Sequence, residues 1–305
     1  MTNERILGTY KNGNYNVLIG DHGTKIRWNA FNNFQPEFPE SIDCKISDRC
    51  DKNCPMCHEC ATPNGALADL NHPLFNSLKP CTELALGGGN VLEHPDLEAF
   101  LRRMKQQNVI CNMTVHVDHF VQNYIHLKNM KAEGLFHGLG VSVNRDIIPD
   151  VANALSAFPD AVAHVIAGVV PMEALYRLGA QKAKLLILGY KNFGRGQTYY
   201  KKLSPSIEFK IAALENALFK GNLKTLFAAV SFDNLALDQL HIKKHVPKED
   251  WDLSYLGEDG RFTMYLDMVK QEYAVSSVSE RKLIFSHDIC KLFAEVRKET
   301  EDADK

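Results

Sequence analysis

The stretch Ser47-Asp48-Arg49-Cys50-Asp51-Lys52-Asn53-Cys54-Pro55-Met56-Cys57-His58 follows directly on the alternating run Ser41-Ile42-Asp43-Cys44-Lys45-Ile46. The run reads as a short strand, which places three cysteines on the loop leaving it. Thiolates at Cys-x3-Cys-x2-Cys spacing can converge on one metal centre. Soft sulfur favours zinc, copper(I) or an iron–sulfur cluster over magnesium or calcium. Structural zinc sites ordinarily pair two separate knuckles, and no second knuckle appears downstream. A cubane cluster ordinarily takes four cysteines, so three leave one iron with an open position. Cys60 extends the series by one more Cys-x2-Cys step and is the alternative fourth ligand, which would close the site.

Cys50, Cys54 and Cys57, on a loop after the first core strand, resemble the signature of the radical S-adenosylmethionine (SAM) superfamily. The aromatic residue usual before the third cysteine of that family is Met56 here, whose thioether can pack beside an adenine. The resemblance implies a 4Fe-4S cluster held by the three cysteines. It further implies SAM chelated to the open iron and cleaved to a 5′-deoxyadenosyl radical, with a reductant protein such as flavodoxin or ferredoxin as partner.

Composition fits a globular protein: 305 residues, 45% hydrophobic, 24% charged. A net charge of −2 carries no basic surplus, so nucleic acid is not indicated. No run of about 18 apolar residues predicts a membrane span. The first five residues lack an apolar signal-peptide core. Eight cysteines are too few for a disulfide scaffold and fit a reducing, cytoplasmic setting.

Strand-like and helix-like segments alternate along the chain. After the cysteine loop, residues 66–78 read as a weak helix. Thr82-Glu83-Leu84-Ala85-Leu86 reads as a strand ending in Gly87-Gly88-Gly89-Asn90, with a helix over 94–104. Further strands are expected over 111–115, 138–143, 161–167, 184–188 and 225–230, with a helix over 205–219. Alternating short strands and helices predict a parallel sheet with right-handed crossovers, its apolar strands buried on both faces. Six such units match the partial (β/α)6 TIM-like barrel that the resemblance implies. Residues 1–40 form an N-terminal β-meander and linker, with Asn12-Gly13 as a hairpin signal. Residues 41–235 form the core. Residues 236–305 are a C-terminal extension placed where it can cover the barrel mouth, with a final helix within 280–296 and a solvated tail over 299–305.

Ligands of parallel α/β folds gather at the carboxyl ends of the strands, where all the notable loops lie. The resemblance implies that Gly87, Gly88 and Gly89 hold the methionine amine of SAM, with Asn90 in place of the usual acid. It gives Ser142 and Asn144 to the ribose, and Ile166 and Gly168 to the adenine. His164 replaces the first glycine of that last pattern. Lys191 and Arg195 can pair with the SAM carboxylate or an anionic substrate. His116 and His119, after the third strand, can face substrate, but read first as surface histidines. The substrate class stays open among small molecule, nucleotide and peptide. The competing reading is a non-catalytic zinc-binding interaction module using four cysteines: Cys50, Cys54, Cys57 and Cys60.

Overall fold

The chain starts as a ribbon because Asn12-Gly13 can reverse it: Gly13 sits at φ +57°, a left-handed conformation glycine adopts without penalty. In the computed structural model, which describes residues 5–303 apart from His22 and Leu256, strands β1 (Ile6–Asn12), β2 (Tyr15–Gly20) and β3 (Lys25–Trp28) form a separate antiparallel sheet. The expectations for residues 1–4 and 304–305 fall outside the described residues. Tyr15, Val17 and Ile19 turn one ribbon face against Phe262. Glu40 is fully buried beneath it, accepting from Tyr15 at 2.5 Å and from Arg27 at 2.8 and 2.9 Å. Lys25 reaches Glu83 at 2.5 Å, and His137 bonds the Asp21 carbonyl, so the ribbon caps the end at which the core strands begin.

The core continues through β4 (Ser41–Ser47), β5 (Glu83–Gly88), α1 (Leu97–Gln106), β6 (Ile110–His116), α2 (Val117–Gln122) and α3 (Tyr124–Ala132). It then runs through β7 (Leu139–Ser142), α4 (Pro149–Ala157), β8 (Ala161–Ile166), α5 (Met172–Ala180), β9 (Lys184–Leu188), α6 (Arg195–Phe219) and β10 (Ala229–Phe232). After α7 (Asn234–Gln239) and α8 (Lys248–Ser254) come β11 (Thr263–Asp267), β12 (Glu272–Ala274), β13 (Lys282–Leu283) and α9 (Ile289–Ala303). The large sheet is ordered β10-β9-β8-β7-β6-β5-β4-β11-β12-β13. It is parallel from β10 to β11 and antiparallel beyond, and it is open, with β10 and β13 as its edges.

Period-two alternation gives the sheet two unlike faces. Ile42, Cys44 and Ile46 of β4, Leu84 and Leu86 of β5, and Leu185 and Ile187 of β9 face the apolar core. Helix α1 meets it with Leu97, Phe100, Leu101 and Met104, an i, i+3, i+4, i+7 stripe. The other face carries Asp43, Lys45, Asn112, Thr114, Ser142 and His164 around a single cavity of about 650 Å³. Strands β4 to β9 all contribute to its wall, so this face is concave. Burial on both faces therefore does not hold, because polar residues alternate into runs that look apolar overall.

Local boundaries also differ from expectation. Residues 66–78 form only a short 3-10 turn, Pro73–Ser77, opened by Pro73. Helix α6 starts at Arg195 rather than near Pro205, which sits inside it. The chain past 240 joins the main sheet, β11 pairing in parallel with β4. The final helix starts inside the expected range, at Ile289, but runs on through residues 299–303, where Glu299 pairs with Lys282.

Candidate functional site

The loop after β4 is pinned at its base. Asp48 donates to the Ala66 carbonyl at 2.8 Å, Thr62 to Asp48 at 2.9 Å, and Cys50 to Thr62 at 2.8 Å. Arg195, opening α6, ties the loop from the far side. Its Nε and Nη1 donate to the carbonyls of Cys54 (3.1 Å) and Ala61 (2.9 Å), and its backbone N–H to that of Cys57 (3.2 Å).

The glycine turn after β5 is laced to the same loop. Gly89 donates to the Ser47 carbonyl and Asn90 to the Arg49 carbonyl, each at 2.6 Å. A Cβ on Gly88 or Gly89 would strike those carbonyls, and Gly88 stands at φ +105°. These two glycines permit close approach of two loops, while Gly87 has open space and faces the large cavity.

Cys50, Cys54 and Cys57 border one small cavity of about 160 Å³, together with Met56 and Arg195. Its other wall comes from strand ends: Gly88 and Gly89, Thr114, Ser142, Asn144 and Ile166. Gly88, Thr114, Ser142, Asn144, Ile166 and His58 border both cavities, so the two adjoin. Burial pushes the Cys50 and Cys54 thiols up, and the Cys57 thiol beside them adds to both. Neighbouring thiols that resist ionising together suit a site completed by cationic metal. Asn144 borders both cavities, and its Oδ1 is buried with no hydrogen-bond partner.

Other expected residues lie elsewhere. Asn90 caps the 3-10 turn Val91–Glu93 and borders neither cavity. Gly168, at φ +80°, packs against Ile207 and also borders neither. Lys191 borders the large cavity and donates to Ser277 at 2.7 Å. Cys60 is exposed and borders neither cavity.

His116 and His119 are not surface residues. Both border the small cavity, and His119 is buried with Nε2 2.6 Å from Asp51. The Cys50 sulfur, an Asp51 oxygen and a His119 nitrogen lie within 4.8 Å of one another, a set able to hold a single metal ion. A buried charge network also goes beyond the sequence reading. Lys45 meets Asp48 at 2.6 Å and both Glu59 and Asp267 at 3.0 Å, and Arg281 meets Asp267 at 2.6 Å. Burial opposes ionisation of Glu59, but His58 and Lys45 hold its carboxyl well below the usual range. The network ties the cysteine loop to β11. The signal for it is two charged residues, Asp43 and Lys45, at period two in an apolar strand.

No family model and no curated protein matches the chain. Among solved structures it is similar to Streptococcus suis SuiB bound to precursor peptide SuiA, with a TM-score of 0.54 and 12% identity, covering 86% of this chain and 67% of that one. It is similar also to Streptococcus suis SuiB bound to S-adenosylmethionine, with a TM-score of 0.50 and 11% identity, covering 85% and 64%. The chain spans about two thirds of the length of those proteins. At such identities the likeness is one of fold.

Proposed function

We propose that the chain is a radical SAM enzyme whose curved sheet is a partial (β/α) barrel. The observation that carries this reading is the convergence of three cysteines, a glycine turn and the ends of β6, β7 and β8 on one small cavity that opens into a larger one. Cys50, Cys54 and Cys57 would hold a 4Fe-4S cluster. Gly87, Gly88, Ser142, Asn144, Ile166 and Met56 would hold SAM, and Arg195 would keep the cysteine loop in place. When bound, the cluster and SAM supply a carbon-centred radical by one-electron reduction. The chain's own task is to place a substrate C–H in the large cavity and keep water from the reacting atoms.

A peptide is the substrate class with most support, since a protein of similar fold was captured with a precursor peptide as well as with SAM. The reductant partner and cytoplasmic setting follow from the same reading. No helix among the described residues is long and apolar enough to cross a membrane. The zinc-module reading has less behind it, because it needs Cys60, which stands outside the cavity its three fellows border.

Anaerobic reconstitution with iron and sulfide tests the proposal. It predicts brown protein with about four irons per chain. Colourless protein holding one tight zinc would contradict it.

A further inference from the structure

We infer that Asp43 is the anchor for a cationic group of the substrate, a protonated amine or guanidinium that enters the large cavity. The inference deepens the functional reading and rests on it for what becomes of the bound molecule, while the binding itself is independent of it.

The cavity is bordered by six carboxylates, Asp21, Asp43, Glu59, Glu83, Asp160 and Asp233, against three lysines, Lys45, Lys184 and Lys191. Five of the six acids are engaged. Asp21 accepts from the Arg5 N–H at 2.9 Å, Glu59 pairs with Lys45 at 3.0 Å, and Glu83 with Lys25 at 2.5 Å. Asp160 pairs with Lys131 at 2.8 Å, and Asp233 accepts from Gly189 at 2.9 Å and Ala236 at 2.7 Å. The Asp43 carboxylate has no hydrogen bond or ion pair with any described residue. None of the three lysines forms an ion pair with it, and Lys184 lies 3.9 Å from Asp160. Lys45 is shared among three carboxylates, and Lys191 is held by Ser277.

The position suits a guest. Asp43 stands mid-strand in β4, in register with Ala85 of β5 on one side and Tyr265 of β11 on the other. The alanine methyl leaves the space beside the carboxylate open. Asp43 is exposed to the cavity while lying deep inside the protein. Burial raises its pKa, Lys191 opposes this, and Asp259 and Asp233 add to the rise. A cation bound there would add a direct countercharge to the influence of Lys191, which forms no ion pair with Asp43. His164 does not compete, because burial holds it neutral. Ser47, where the cysteine loop begins, lies four positions further along the chain. An anchored end would therefore lie about 13 Å along the strand from that loop, leaving room for a substrate of several carbons.

The test titrates the full chain, reconstituted anaerobically, by calorimetry at neutral pH. The probes are N-acetyl-lysine methylamide, its uncharged counterpart N-acetyl-norleucine methylamide, and pentane-1,5-diamine. At least one cationic probe should bind and the norleucine probe should not. Asp43→Asn should weaken that binding about ten- to a hundred-fold, while Asp43→Glu should keep the preference for charge. Binding of the lysine probe alone assigns a cation carried on a peptide; binding of the diamine alone assigns a free amine. The inference is overturned if neither cation binds more tightly than norleucine, or if Asp43→Asn binds as the wild type does. Should Asp43→Asn melt early, the wild-type preference between lysine and norleucine decides. Iron content and SAM binding are read on the same wild-type preparation. Their absence would overturn the radical SAM reading and leave the probes to judge the pocket.

Discussion

The imidazole of His164 occupies the space that a side chain on Gly140 would fill: a Cβ built on that glycine of β7 falls on the ring atoms contributed by β8. The pair lets a large polar side chain lie across the concave face beside Ser142. Gly140→Ala should cost about 1–3 kcal/mol through overpacking. Combining it with His164→Ala should cost less than the two changes summed, which a double-mutant cycle on thermal unfolding reads.

Burial lowers the pKa of His164 from 6.5 to about 4. The unfolded chain therefore binds a proton between these values that the folded chain does not. Stability should fall as pH drops from about 6.5 toward 4, by up to about 3 kcal/mol, less where cavity water screens the ring. Melting temperatures from pH 7 to 5 should fall more steeply for the wild type than for His164→Gln. Equal slopes would place the ring outside the low-dielectric interior.

Glu40 holds the ribbon to the core through Tyr15 and Arg27 and is fully buried. Glu40→Ala strands the Arg27 charge and should cost about 3–5 kcal/mol. Chemical denaturation measures the loss, and a change under about 1 kcal/mol would show the ribbon to be held by apolar contact alone.

Arg195 bonds the carbonyls of Cys54, in the middle of the cysteine loop, and Ala61, just beyond it. Arg195→Ala should leave the melting transition cooperative but cut iron retained after reconstitution at least several-fold. Lysine at this position supplies charge without the two-pronged geometry and should rescue only part of it. Gly89→Ala, which pushes the glycine turn off Arg49, should cause the same loss from the opposite side.

The parallel order of the core strands and the cysteine and glycine loops were readable because each rests on local signals, namely apolar runs bounded by glycine or proline and close cysteine spacing. The role of Gly88 and Gly89 was half readable: three glycines announce a tight place, but only the fold shows that the Ser47 and Arg49 carbonyls fill it. What was not readable depends on contacts between distant segments. Lys45 meets Asp267 across 222 positions of sequence, and β11 joins β4 although the chain past 240 loses its alternating pattern. His119 looked like a surface residue because its partner, Asp51, lies 68 positions away.

The central claim is tested most directly by incubating the reconstituted protein with SAM and a strong one-electron reductant, without oxygen, and measuring the products. The account predicts 5′-deoxyadenosine from the wild type and none from Cys54→Ala. Intact SAM in the wild type, or equal turnover in Cys54→Ala, would contradict it.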